Sequence, residues 1–211
     1  FFPNLNFVKD LVSSDFINNP DEILIYEGGL FGWVTESNHL AKEDPNDFGI
    51  VHDVGPHIFD FLVSLFESYN YDVSKIQIQS VDIDYKILPN NVDVKLAFKE
   101  DNHLTKINIV ISRSLLLMNK ILIRKANKSI ISRTLLESSV NLVLNDLEFA
   151  VNVPELKGDS FTIDDAFDLM WKNLFSKITC DEYLDKKYNI DLEKILPSIK
   201  LIDDVVMKAR I

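Results

Sequence analysis

The sequence lacks the residues and runs that several classes of protein require. Its 211 residues include one cysteine, Cys180, so no disulfide can form within the chain, and a reducing compartment is expected. No apolar run reaches the ~20 residues that cross a bilayer, and no pattern typical of a secretory leader is present. We therefore predict a cytoplasmic protein with no membrane partner.

Positive charge is also scarce. Asp and Glu together number 33, against 22 Lys and Arg, which gives a formal net charge of −11. Proteins that bind nucleic acid concentrate positive charge on one surface, so we expect no nucleic-acid partner. The acidity bears mainly on solubility and does not identify a substrate.

Two kinds of site have no supporting pattern. The glycines at positions 28, 29 and 32 interrupt a β-rich run, but they lack the G-x-G-x-x-G spacing before a helix that binds a dinucleotide. We therefore predict no cofactor-binding residues in this chain. His39, His52 and His103 do not stand at metal-ligand spacing with a carboxylate or a thiol, so no metal site is predicted either.

The composition is that of a globular domain. Apolar residues make up 46% of the chain, and its length allows one sizeable core. The length would also allow two small domains at most, and we predict a single domain over residues 1–211. We find no internal repeat and no low-complexity tract. Because the first residue is Phe1 rather than methionine, we expect the chain to be part of a longer protein.

Hydrophobic periodicity predicts an α+β fold. Residues 1–16, 162–179 and 197–209 have apolar side chains at helical spacing, with Trp171 on the predicted core side of the second segment. Residues 22–36 read as a β-rich run. From residue 76 to residue 151 the apolar residues alternate with polar ones, with a phase slip near Gln79 and Ser80 that suggests a bulge.

These alternating segments are separated by short polar turns, which is typical of antiparallel strands. We predict strands that include residues 118–126, 129–136 and 141–151. Together they form a large, mostly antiparallel sheet with helices packed on one face. The other face carries Lys95, Lys106 and Asn108, so it is expected to face solvent or a partner.

Residues 49–66, GIVHDVGPHIFDFLVSLF, carry the strongest functional pattern. After a short apolar lead-in, Gly55 and Pro56 are predicted to form a corner, followed by an amphipathic helix with Pro56 in its first turn. Asp53 would then lie at or just before the helix start, where a carboxylate suits the helix dipole. Asp53, His57 and Asp60 share the polar side of the helix.

Two interpretations of this polar side are open. A carboxylate and an imidazole one turn apart form a candidate pair for proton transfer. Alternatively, the polar residues form a solvated helix face, and Asp53 only caps the helix.

The pattern Asp53-Val-Gly-Pro-His57-Ile-Phe-Asp60 resembles the D-x-G-x-H-x-x-D signature of the Gfo/Idh/MocA oxidoreductases, which include glucose–fructose oxidoreductase and inositol dehydrogenase. In that family the signature opens the main helix of the second domain. The opening FFPNLNFVKDLV and the closing LPSIKLIDDVVMKA also resemble segments of that domain. The resemblance spans most of the chain, and the signature is its specific part.

The resemblance implies that the chain is a C-terminal substrate domain of the glucose–fructose oxidoreductase type. Its substrate would be a sugar-like small molecule: a sugar, a cyclitol or a nucleotide sugar, oxidised or reduced at a hydroxyl or carbonyl. NAD or NADP would be the cofactor, bound mainly by an N-terminal Rossmann domain that this chain does not contain. A homo-oligomer through the exposed sheet face is also implied.

The resemblance further implies roles for three residues. His57 would give or take the proton of the substrate hydroxyl or carbonyl, which suits an imidazole because its ordinary pKa is about 6.5. Asp53 would orient the ring or help to position the substrate. Asp60 would contact the substrate, although it could equally hydrogen-bond the preceding loop.

Trp33, Glu36 and Asn38 are further candidates for substrate binding. They follow the first predicted strand, in the segment where members of the family often hold substrate. The plainer interpretation is that Trp33 belongs to the core and that the other two lie on a loop surface.

The sequence departs from the family in two respects. The E-K-P turn that supplies a catalytic lysine does not occur, and Asp47-Phe48-Gly49 stands where a double glycine is usual. We therefore expect no turnover by this chain alone. The alternative function is a non-catalytic binding or oligomerisation domain that keeps the same scaffold.

Overall fold

The computed structural model describes residues 3–28, 49–84, 91–112, 115, 117, 119–132, 139–153, 168, 171–172 and 192–209. These residues form three long helices, one short 3-10 turn (Val73–Lys75) and eight strands. The helices are α1 (Pro3–Ser13), α2 (Gly49–Ser68) and α3 (Leu192–Ala209). The strands are β1 (Glu22–Gly28), β2 (Ile76–Asp84), β3 (Asn91–Glu100), β4 (His103–Ser112), β5 (Lys120–Lys125), β6 (Lys128–Ser132), β7 (Ser139–Leu144) and β8 (Leu147–Asn152).

All eight strands belong to one sheet, in the order β2-β3-β4-β1-β5-β6-β7-β8. Only β1 and β4 pair in parallel, and every other neighbouring pair is antiparallel. The predicted α+β class with a large, mostly antiparallel sheet is therefore confirmed. The position of β1 between β4 and β5 was not predicted, because hydrophobic alternation carries no information about which distant strand will be a neighbour.

The core lies between one face of the sheet and the helices. Val92, Val94, Leu96 and Phe98 of β3 alternate along the strand and are all buried. β4 repeats the pattern, and helix α2 packs against α1, α3, β3 and β4. Each fully buried side chain of this size contributes about 1.5–3 kcal/mol through removal of apolar surface from water.

Two details of the predicted strands have different outcomes. The bulge is confirmed, because the β2–β3 register shifts between Ile78 and Ser80. The single strand predicted over residues 141–151 is wrong, since β7 and β8 form a hairpin there. Asn145 and Asp146 make the turn with φ angles of 51° and 66°, a left-handed conformation that Asn and Asp tolerate better than most residues.

Two details of the predicted helices also need correction. The last helix begins at Leu192 rather than near residue 197, so Pro197 lies inside it. Most of the helix predicted over residues 162–179 lies outside the described residues. Trp171 is described there, and it is 48% exposed rather than part of the core.

The two ends of the sheet differ. In the described part of the chain, two-residue turns at 101–102, 126–127 and 145–146 join neighbouring strands at one end. The strand ends that lead into the longer connections, at 29–48, 85–90, 113–119 and 133–138, all lie at the opposite end. We call these the turn end and the connection end.

Candidate functional site

Helix α2 runs from the connection end towards the turn end. Near its C-terminus, Phe66 packs edge-on against Phe98, with 4.9 Å between the ring centroids. Phe98 pairs with Thr105 and Ile76 close to the turn end of the sheet. Because α2 lies along β3 and β4 and rises about 1.5 Å per residue, its N-terminal half lies towards the connection end.

The start of α2 differs from the prediction. The helix begins at Gly49, so Asp53 is its fifth residue and Pro56 its eighth. The predicted corner at Gly55 and Pro56 is therefore wrong, and Asp53 is not a cap. Tertiary burial explains the early start, because Ile50, Val51 and Val54 continue the buried side of the helix into the lead-in.

The polar side of α2 was predicted correctly. Asp53, His57 and Asp60 are all exposed. By contrast, Phe59, which lies between His57 and Asp60, and Leu62, which follows Asp60, are completely buried. Side chains three or four residues apart on a helix have Cβ atoms about 5–6 Å from each other. The structure thus brings the three candidate residues together on one accessible face, and their catalytic and substrate-binding roles stay predictions.

Two residues between Asp53 and His57 oppose a helical conformation. A glycine inside a helix costs about 1 kcal/mol relative to alanine, and a proline about 3 kcal/mol. Gly55 is buried and Pro56 is exposed. A Cβ at Gly55 would lie 3.5 Å from Phe59 Cδ2 and 3.5 Å from Val51 Cγ1, which is ordinary van der Waals contact.

An ammonium from α1 borders the same polar side. Lys9 Nζ donates a hydrogen bond to Ser64 Oγ at 2.9 Å, and Ser64 lies one turn beyond Asp60. The bond joins α1 to α2 next to the candidate residues. The sequence offered no signal for Lys9, because the contact depends on how two separate helices pack.

Polar side chains also tie strands together at the connection end. Buried Ser112 donates a hydrogen bond to Asn91 Oδ1, and the Leu115 amide donates to Ser112 Oγ at 2.8 Å. On the neighbouring strand, the Gly28 amide donates to Asn119 Oδ1 at 3.0 Å. Asn119 immediately precedes β5, so this bond extends the contact between β1 and β5 beyond their last backbone pair. It therefore fixes the point where β1 ends.

The other predicted site residues are not on α2. Trp33, Glu36 and Asn38 lie outside the described residues.

Within the described ranges, no three His, Cys, Asp or Glu side chains are grouped as a metal site would require. His103 Nε2 instead donates to the carbonyl oxygen of Pro20 at 2.8 Å, which ties the start of β4 to the segment before β1. None of the described helices is both long enough and apolar enough to span a bilayer.

Comparisons with known proteins find similarity in structure alone. No protein-family model matches the sequence, and no curated protein matches it. An oxidoreductase from Sinorhizobium meliloti matches with a TM-score of 0.72 at 9% identity, over 99% of this chain and 60% of that chain. The chain has the fold of an oxidoreductase domain.

Two further solved structures with this fold were determined with bound small molecules. Aldose-aldose oxidoreductase from Caulobacter crescentus, complexed with glycerol, matches with a TM-score of 0.65 at 10% identity, over 99% of this chain and 58% of that chain. A 3-ketoreductase from Actinomadura kijaniata, in complex with TDP-benzene and NADP, matches with a TM-score of 0.62 at 10% identity, over 98% and 58%.

The resemblance to the Gfo/Idh/MocA oxidoreductases is thereby confirmed in fold. The chain spans about three fifths of the length of these proteins.

Proposed function

We propose that this chain is the substrate-binding domain of an NAD(P)-dependent oxidoreductase acting on a hydroxyl or carbonyl of a sugar, cyclitol or nucleotide sugar. The observation that carries the proposal is the exposed Asp53–His57 pair, one turn apart on the half of α2 nearest the connection end. The fold shared with an aldose-aldose oxidoreductase and with a 3-ketoreductase supports the substrate class.

His57 is the acid–base residue in this proposal. In the oxidative direction its imidazole takes the proton from the substrate hydroxyl, and in the reductive direction imidazolium returns a proton to the carbonyl oxygen. Nicotinamide, when bound, takes or supplies the hydride. Asp53 holds the ring and stabilises its charged form, because a carboxylate one turn away attracts an imidazolium.

Asp60 is assigned to substrate binding. It lies three residues after His57 on the same exposed side, so its carboxylate can accept hydrogen bonds from hydroxyls next to the reacting one. The described residues include no glycine-rich strand-to-helix turn of the kind that binds a pyrophosphate, so we assign cofactor binding to a separate domain.

The test uses the full-length protein. Sugars, cyclitols and nucleotide sugars are supplied with NAD and with NADP, and turnover is followed by nicotinamide absorbance. His57→Ala is expected to lower kcat by at least ~100-fold, because positioned general acid–base catalysis contributes roughly that much or more. His52→Ala is the matched control, since His52 is also exposed on α2 but its position is about 140° around the helix from that of His57.

Each result has a definite meaning. A large loss in His57→Ala with little change in His52→Ala supports the proposal, provided that circular dichroism shows both variants folded. Equal losses in the two variants, or none in either, reduce the motif to a solvated helix face. No turnover by the wild-type protein favours the non-catalytic alternative.

A separate observation favours self-association through the open face of the sheet. Five apolar side chains lie side by side at its centre, each half-buried: Leu24, Tyr26, Val110, Leu122 and Ile131. A contiguous apolar area at the centre of an open sheet face is typical of a protein–protein contact. We therefore propose that a second copy of the chain covers this face.

Sedimentation at micromolar concentration tests this contact. Leu122→Glu is expected to shift the protein towards monomer, because it buries a charge in the proposed interface. Ile199→Glu is the matched control: Ile199 is exposed on α3, on the other side of the sheet. A wild-type protein that sediments only as a monomer would contradict the proposal.

A further inference from the structure

Gly55 and Pro56 occupy the helical turn that separates Asp53 from His57. Glycine and proline are the two residues least compatible with a helix interior, and here they are adjacent in the longest helix described. Sequences that break a local structural rule often do so at functional sites.

Packing does not require either residue. Gly55 is on the buried side, but a methyl group there would meet Val51 and Phe59 only at ordinary contact distance, so alanine fits. Its φ is not in the left-handed region that favours glycine. The Pro56 ring is exposed and contributes little to the core.

A proline next to a glycine acts on the geometry of a helix. Pro56 has no N–H to donate to the carbonyl of residue 52, and its ring crowds that carbonyl. Helices bend at such a proline, and an adjacent glycine makes bending easier. Asp53 stands before this point and His57 after it, so any bend changes the direction of one side chain relative to the other.

We infer that Gly55 and Pro56 are positioning residues that set the relation between the Asp53 carboxylate and the His57 imidazole. The catalytic part of this inference rests on the proposed function, because it takes Asp53 and His57 to be the acid–base pair. It does not make either of them a catalytic residue, because neither has a side chain that can exchange a proton.

The first test measures the Asp53–His57 relation without any turnover. The NMR signals of the His57 ring are compared between the wild-type protein and Asp53→Asn. The difference in their positions, called the shift below, measures the effect of the Asp53 carboxylate on the ring. The same comparison is then made in the Pro56→Ala background. The inference expects the shift to change by at least about half, because electrostatic coupling depends on distance and direction.

Pro197→Ala is the matched control, since Pro197 also lies inside a helix, α3, but not between candidate site residues. It is expected to leave the shift unchanged. If Pro56→Ala does not fold, as judged by circular dichroism, Gly55→Ala provides the same test with a residue that the site accommodates. An unchanged shift in a folded Pro56→Ala or Gly55→Ala protein overturns the inference.

The second test measures turnover by the full-length enzyme. Pro56→Ala is expected to lower kcat by at least ~10-fold with KM within about twofold, because a displacement near 1 Å can cost up to ~100-fold in rate. An altered shift with unchanged kcat would overturn the catalytic part of the inference. If the wild type shows no turnover, the proposed function fails, and the inference is decided by the NMR comparison alone.

Discussion

Asn4 Nδ2 donates a hydrogen bond to Ser132 Oγ at 3.2 Å, although 128 residues separate the two in sequence. Both side chains are buried. The bond joins the first turn of α1 to the last residue of β6, so it anchors the start of the chain at the connection end of the sheet. Asn4 Oδ1 also accepts from the Leu5 amide at 3.1 Å, which orients the Asn4 side chain.

Removing this bond is expected to destabilise the fold. Asn4→Ala and Ser132→Ala should each lower the free energy of unfolding by about 1–3 kcal/mol, because loss of one partner leaves polar atoms buried with fewer hydrogen bonds. The double variant should lose less than the sum of the two by about 0.5–1.5 kcal/mol. Urea denaturation of the four proteins measures the difference, and strict additivity would show that the bond contributes nothing.

The exit of β1 gives a second prediction. A Cβ at Gly28 would lie 2.8–3.0 Å from three side-chain atoms of Leu117, which is too close for real contacts. Gly28→Ala should therefore lower stability by about 1–3 kcal/mol through overpacking. Gly55→Ala is the matched comparison, since its methyl group fits and removal of a helical glycine should stabilise by up to about 1 kcal/mol.

The same position allows an internal check. Adding Leu117→Gly to Gly28→Ala should recover part of the lost stability, because it removes all three side-chain atoms that the new methyl group would meet. Thermal unfolding of the single and double variants measures this recovery. A double variant that is less stable than the sum of the two single variants would mean that the strain lies elsewhere.

The part of the fold that follows from local pattern was predictable from the sequence. Three features depend only on whether nearby residues are apolar or polar. They are the alternation in β3 and β4, the β2 bulge and the buried side of α2. Hydrophobic periodicity carries this information directly. For that reason the fold class and the shared face of Asp53, His57 and Asp60 were predicted correctly.

The errors arose where tertiary contacts override local preference. Pro56 predicts a helix start, but burial of Ile50, Val51 and Val54 outweighs its cost and moves the start to Gly49. The same holds for Pro197 in α3. The parallel pairing of β1 with β4 depends on residues about 80 positions apart, which no local pattern encodes.

The Asn145-Asp146 turn is a different case, because its signal was present in the sequence. Asn and Asp tolerate the left-handed conformation that a two-residue hairpin turn requires, and both residues adopt it here. Apolar residues on either side concealed the break in the run. Alternation alone therefore merged β7 and β8 into one strand.

A last prediction concerns stability at high pH and rests on an aromatic stack near the turn end. Tyr69 stacks on Tyr71 with 5.1 Å between centroids, and Tyr71 stacks on Phe98 at 4.6 Å. Burial raises the pKa of the Tyr69 hydroxyl above its ordinary value, and the neighbouring Tyr71 raises it further. Among the described residues, none forms a hydrogen bond with the Tyr69 hydroxyl.

The sign of the effect follows from the raised pKa. Below about pH 10 Tyr69 is neutral in both the folded and the unfolded chain, so its contribution to stability is fully present. Above that pH it ionises first in the unfolded chain, and the free energy of unfolding should fall by about 1.4 kcal/mol per pH unit. Tyr69→Phe should remove this part of the slope while changing stability little at neutral pH. Equal slopes in wild type and Tyr69→Phe would contradict the prediction.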